Sequence, residues 1–156
     1  MPSRREAIRM TPAQIDAYLR AGRRIILVTN GSDGFPHPVP MNYGVDGQGR
    51  LLVTSFARSR KVRNLERDSR AALLVESGQT YRELKAVIGW CDAEIIRDPD
   101  AIAALLPLIR AESALAQSVT PAMNAQVRAS LAKRVILRFA PRRFASWDHA
   151  RLDGLY

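Results

Sequence analysis

Ser59-Arg60-Lys61 combines residue types and spacing that suit one kind of chemistry. Serine is a good helix cap, and the two cations after it would occupy the first helical positions. There they face the positive end of the helix dipole, and each opposes it by roughly 0.3–1 kcal/mol when exposed. The helix they open is barely two turns long, with Val62 and Leu65 as its buried stripe, so it has little stability to spare. An anion at that point reverses the sign. Free N–H groups, a serine hydroxyl and two cations then converge on one dianionic group, which is a phosphate site. It is not a Walker loop, which needs a glycine-rich run before the lysine.

Other residues with chemical potential are weaker candidates. His37 sits among prolines and reads as a surface or hydrogen-bonded histidine. Ser146, Asp148 and His149 are too close in sequence to form a triad on one strand face. With Cys91 the single cysteine and the two histidines more than a hundred residues apart, no metal-ligand spacing exists, and no metal is expected. Cys91 reads as core, and Trp90 and Trp147 as packing with the capacity to stack on a flat ligand. No catalytic acid or base stands out.

The composition sets the frame for these residues. The 156 residues suit one domain, 1–156, with a core that needs no staples. No apolar run is long enough to span a membrane, and MPSRREAIRM is too polar for a signal-peptide core. A lone cysteine fits a reducing compartment, so the expectation is a cytoplasmic protein. The net charge of +9 invites a nucleic-acid reading, yet only Lys61, Lys85 and Lys133 of the 24 cations are lysine. A general bias toward arginine accounts for that. The dense cluster is Arg58, Arg60, Lys61, Arg63, Arg67 and Arg70, partly offset by Glu66 and Asp68. Only Phe56 lies near it as a stacking aromatic, so no nucleic-acid partner is expected.

The elements that must position the turn follow from pattern. Thr11-Pro12-Ala13-Gln14 opens a helix running to Ala21, stopped at Gly22. Arg24 to Asn30 reads as a strand, and a Gly31–Gly34 turn leads to a second from Phe35 to Val45. Pro36, Pro38 and Pro40 in that strand remove N–H groups from one edge, which makes either a protected sheet edge or a groove wall for a flat ligand. Arg50 to Ser55, Ala71 to Glu76, Lys85 to Arg97 and Lys133 to Ser146 complete six strands. A helical stretch from Pro99 to Ala116, bent at Pro107, and a helix begun at Thr120-Pro121 are inserted late. Short connections and few helices predict a mainly β fold with added helices, a six-stranded antiparallel barrel.

The succession of a proline-rich strand, a Gly turn, a strand ending in Val53-Thr54, Ser-Arg-Lys, a short helix and an apolar strand resembles the pyridoxamine 5'-phosphate oxidase-like split-barrel flavoproteins. The resemblance is strongest from Val39 to Glu76 and is supported by Ala86-Val87-Ile88-Gly89. The ending Ser146-Trp147-Asp148-His149 with Arg151-Leu152 is similar to a branch that includes users of the deazaflavin F-420. The resemblance implies a split β-barrel homodimer, an oxidoreductase with FMN, or alternatively F-420, at the subunit interface, and a small-molecule substrate. It implies that Ser59, Arg60 and Lys61 hold the cofactor phosphate and that Val53 and Thr54 lie beside the ring or ribityl chain. Val39, Pro40, Met41 and Asn42 would line the ring through backbone groups, and Trp147 or Lys85 of the partner would complete the pocket. The basic and aromatic residues that hold pyridoxamine phosphate itself have no equivalent in RFASWDHARLDGLY, so that substrate is not implied. A non-enzymatic flavin, haem or nucleic-acid binding module is the remaining alternative.

Overall fold

In the computed structural model, which describes residues 3–109 and 125–152, seven antiparallel strands form one curled sheet. The strands are β1 (Arg24–Asn30), β2 (Pro36–Asn42), β3 (Gly44–Val45), β4 (Leu51–Phe56), β5 (Arg70–Ser77), β6 (Lys85–Ile96) and β7 (Arg134–Asp148). Their order is β2-β1-β5-β6-β7-β4-β3, so two strands consecutive in sequence sit at opposite edges. The helices are α1 (Arg4–Ala7), α2 (Pro12–Ala21), α3 (Arg60–Arg67), α4 (Pro99–Leu105) and α5 (Ala125–Leu131).

The strand count corrects the expectation of six. The segment expected to be one strand from Phe35 to Val45 divides at Tyr43. Its pairing with β1 ends at Asn42 opposite Arg24, and Gly44 pairs instead with Leu52 of β4. Tyr43 makes that transfer permanent: its ring is buried and its hydroxyl donates to the Leu19 carbonyl at 2.5 Å. Gly44 is required there, because a Cβ would stand 1.8 Å from the carbonyl oxygen of Leu108. One continuous chain thus links the two edges of the sheet and curls it into a half-barrel.

Local signals explain the rest. Thr11 and Gln14 exchange hydrogen bonds in a capping box at the start of α2, and Gly22 ends it. Inward-facing Ile25, Leu27, Leu73, Val75, Val87, Leu137 and Phe139 fill the barrel. Both faces of β4 are buried: Val53 enters the barrel, while Leu52 packs with Ile102, Leu106, Leu131 and Ile136 under α4 and α5. The predicted break at Pro107 falls in a 3-10 turn, Leu106–Leu108. The remainder of that helical stretch and the expected start at Thr120-Pro121 lie outside the described residues. No helix among the described residues is long and apolar enough to cross a membrane.

Candidate functional site

Most of the residues singled out by sequence lie on β2, on β4 and at the turn into α3. β2 is an edge strand. Its prolines stand opposite Asn30, Val28 and Ile26 of β1. A hydrogen-bonded antiparallel pair needs an N–H on both residues, so the ladder falls at His37, Val39 and Met41. The three proline nitrogens therefore face the free edge, which offers carbonyl acceptors and no proline donor. Val39 and Met41 pack inward against the core, whereas Pro40 and Asn42 are exposed.

β4, next to the opposite edge, approaches β2. Its pairing with β3 covers only Leu51 and Leu52, so the edge of Val53 and Thr54 is not paired by β3. The Val53 side chain is wholly in the core, and only its backbone can face a ligand. Thr54 is half-buried, and its hydroxyl oxygen is buried without a hydrogen-bond partner. Such an orphan costs free energy until something donates to it or accepts from it.

At the end of β4 the chain turns into α3. Ser59 has the extended backbone of a cap, but its side chain does not cap the helix. Its hydroxyl lies 3.0 Å from that of Ser55 instead. Helix α3 is fixed from beneath by Val62 and Leu65 and by buried Asn64, which donates to the Thr29 hydroxyl at 2.9 Å. The two cations differ. Arg60 donates to Asp33 at 2.9 Å, tying the tip of the β1–β2 hairpin to α3. Lys61 is half-buried, and among the described residues it has neither a hydrogen bond nor an ion pair. Burial pushes its ammonium pKa down from the usual lysine value. The Phe35 amide, donating at 3.2 Å, and secondarily Arg60 hold the Asp33 carboxyl below its usual range.

The structure thus places Ser59, Arg60 and Lys61 at the turn that follows Val53 and Thr54 of β4, ties Arg60 to the tip of the β1–β2 hairpin, and puts Val39, Pro40, Met41 and Asn42 on the edge strand β2; Trp147 lies elsewhere. Trp147 stands opposite Ala86 near the far end of β7, whose other end, Arg134, pairs with Phe56 beside the Ser59 turn. Lys85 is committed to Asp148 at 3.1 Å and lies over the Tyr18 ring. Sequence reasoning missed Asp33 and Asn64. The Gly-Ser-Asp-Gly run reads only as a turn, and nothing local says that its aspartate meets a residue 27 positions later. Among the described residues, no cluster of three or more His, Cys, Asp or Glu could hold a metal ion.

Together these residues offer what a phosphorylated, flat ligand needs: an unsatisfied cation and hydroxyl at one end and an acceptor-rich strand edge along the side. Comparisons with known proteins place the chain in a family. The sequence model of the pyridoxamine 5'-phosphate oxidase family matches residues 11–148. A structure of a conserved hypothetical protein from Mycobacterium tuberculosis is 31% identical, covers 97% of this chain and 93% of its own, and superposes with a TM-score of 0.79. A 5a,11a-dehydrotetracycline/5a,11a-dehydrooxytetracycline reductase of Streptomyces rimosus is 39% identical over 62 residues, 38% of this chain but only 44% of that relative. An F-420 reductase structure, 22% identical over 83% of this chain and 94% of its own, shares the fold with a TM-score of 0.57.

Proposed function

Because the chain belongs to the pyridoxamine 5'-phosphate oxidase family, we propose that it is an oxidoreductase that holds a phosphorylated flavin in the gap between β2 and β4 and acts on a small organic molecule. The observation that carries this reading is the unpaired, half-buried Lys61 in the first turn of α3, the helix that follows β4, whose Thr54 hydroxyl is buried with no partner. Leaving both unsatisfied is unfavourable in the empty protein, and a phosphate ester with polar substituents near it satisfies both. FMN is the first candidate. When bound it would supply the hydride or electron chemistry, and the chain's task is to orient it and exclude water. Lys61 and the N–H groups opening α3 would hold the phosphate. Thr54 would hydrogen-bond beside it, and the carbonyls of the β2 edge would accept from the ring. The likeness to the Streptomyces reductase supports reduction as the direction.

The reading includes a two-fold homodimer. On the outer face of the sheet, register aligns Pro40, Ile26, Leu74, Ile88 and Ala145 in one row, with Pro38, Val28, Ala72 and Trp90 in the next. Ile26, Val28, Leu74, Ile88 and Trp90 are only half-buried. An apolar, nearly continuous face of this kind suits a second copy of the chain. Trp147 of that copy would then be available to complete the pocket, whereas Lys85 is held by Asp148.

A second reading exchanges FMN for the deazaflavin F-420, and the Arg60–Asp33 pair favours it, since it lowers the positive charge available to a phosphate. The test is direct. The protein as purified is examined by visible absorbance, and then titrated with FMN, riboflavin and F-420 by fluorescence. Tight binding of a phosphorylated ligand over riboflavin supports the reading, and no binding of any of the three refutes it.

A further inference from the structure

Resting on that reading of the gap, we propose that Asp33 tunes the charge preference of the phosphate turn, penalising a doubly charged phosphomonoester more than a singly charged phosphodiester. Its carboxylate sits 2.9 Å from an Arg60 guanidinium nitrogen. Asp33 is not a wandering surface group. Its second oxygen accepts from the Phe35 amide at 3.2 Å, and the Gly31 amide donates to the Phe35 carbonyl at 3.0 Å, which closes the hairpin tip. Gly31 makes this closure possible, because a Cβ there would stand 2.5 Å from the Asp33 carboxylate and 3.6 Å from the Arg60 guanidinium. The hairpin is further held to α3 by Arg67 donating to the Asn30 carbonyl and by the Asn30 amide donating to Asp68 at 2.8 Å.

From Arg58 to Lys61 the turn therefore carries three cations and meets one fixed anion; Arg60 is matched by Asp33, and Lys61 is the half-buried unmatched one. A phosphomonoester such as that of FMN brings close to two negative charges at pH 7. A phosphodiester, the form in which F-420 carries its phosphate, brings one. Any phosphate that reaches Arg60 must share it with Asp33, across the guanidinium at about 6 Å, where each unit of negative charge on the phosphate is disfavoured roughly threefold even in bulk water. The dianion meets that penalty twice and the monoanion once.

Three ligands with one ring test this: riboflavin, uncharged at that end; riboflavin 4',5'-cyclic phosphate, a monoanionic diester; and FMN. Each is titrated by fluorescence into the full-length protein and into Asp33→Asn and Asp33→Glu. Asn keeps the oxygen that accepts from Phe35 and removes the charge. The expected result for Asp33→Asn is no change for riboflavin, about threefold tighter binding of the cyclic phosphate, and about tenfold tighter binding of FMN. Asp33→Glu, which retains the charge, should keep the parent's order of preference. An equal change for all three ligands, or none for any, overturns the proposal while leaving flavin binding intact. Failure of the parent to bind any of the three, or F-420, overturns the underlying reading as well.

Discussion

Replacing Lys61 by alanine should separate the phosphate from the rest of the ligand. Lys61 is half-buried, unpaired and disfavoured in its charged form by burial, so no hydrogen bond or ion pair of the empty protein is lost when it goes. Its removal also relieves a cation opposing the α3 dipole, so the stability of the empty protein should stay the same or rise by roughly 0.3–1 kcal/mol. In the complex it should cost one charge-assisted hydrogen bond, about 1.5–3 kcal/mol, or roughly ten- to a hundredfold in FMN affinity. Riboflavin should bind the parent poorly and be indifferent to the change.

Arg60→Ala should behave differently, because the loss of an exposed ion pair, about 0.2–1 kcal/mol, roughly cancels the relief of the dipole. It also leaves Asp33 bare beside the ligand, so much of its effect on FMN should be recovered in Arg60→Ala/Asp33→Asn. The assay is a mutant-by-ligand comparison, with chemical denaturation of each empty protein alongside. Equal loss of riboflavin and FMN affinity in Lys61→Ala would show that the turn binds no phosphate.

Lys61 also predicts a pH dependence. Its folded pKa is lowered, so the unfolded chain binds more protons above that folded value, and stability should climb from there up to the ordinary lysine pKa of 10.5. That climb should be absent from Lys61→Met, as read by denaturation across alkaline pH. Cys91 is buried in β6 and its thiol pKa is pushed up to about 12. Thiol reagents should therefore react slowly in the native state and quickly after denaturation, with Cys91→Ala still binding ligand. Asn64→Ala strands the buried Thr29 hydroxyl and should destabilise by about 1–3 kcal/mol in urea unfolding. Gly44→Ala should cost at least as much as ordinary overpacking, roughly 1–3 kcal/mol, whereas Gly47→Ala meets no neighbouring atom and serves as its control. Ile88→Arg, in the middle of the outer apolar row, should convert a dimeric mass to a monomeric one by light scattering; an unchanged dimer would place the interface elsewhere.

Where the governing physics is local, the sequence was legible. The α2 boundaries follow from Thr11, Pro12, Gln14 and Gly22, and the β1 boundaries from a run of β-branched and aliphatic residues between polar ones. The division of the second strand at Tyr43 was not legible. Asn42-Tyr43-Gly44-Val45 has no proline and no turn motif, and the chain changes partner there because the Tyr43 hydroxyl finds the Leu19 carbonyl and Gly44 meets Leu108. The same limit applies to the candidate site. Ser59, Arg60 and Lys61 stand out because they break a helix rule together, but which cation is free depends on Asp33, brought in by the β1–β2 hairpin. Ser59 also reads as a capping side chain, and only the neighbouring strand end shows its hydroxyl turned to Ser55.

The pairing pattern answers why so basic a segment need not be a nucleic-acid face. Arg60 is matched by Asp33, Arg70 by Asp68 in a two-pronged contact, and Arg97 by Glu66; Arg67 donates to the Asn30 carbonyl. These contacts turn much of the arginine cluster into ties between α3, the β1–β2 hairpin and the ends of β5 and β6, and exposed pairs of that kind contribute little individually. A polyanion-binding surface needs its cations unpaired and in register with phosphates, since each neutralised phosphate releases counterions and steepens the salt dependence. Lys61 departs from that pattern by being both half-buried and unmatched. A single desolvated cation is poor at gripping a long polyanion and well suited to one phosphate held at a fixed point. Binding through Lys61 should accordingly weaken with salt by the small slope of one or two neutralised charges. A slope of six or more on adding duplex DNA would return the segment to the nucleic-acid reading.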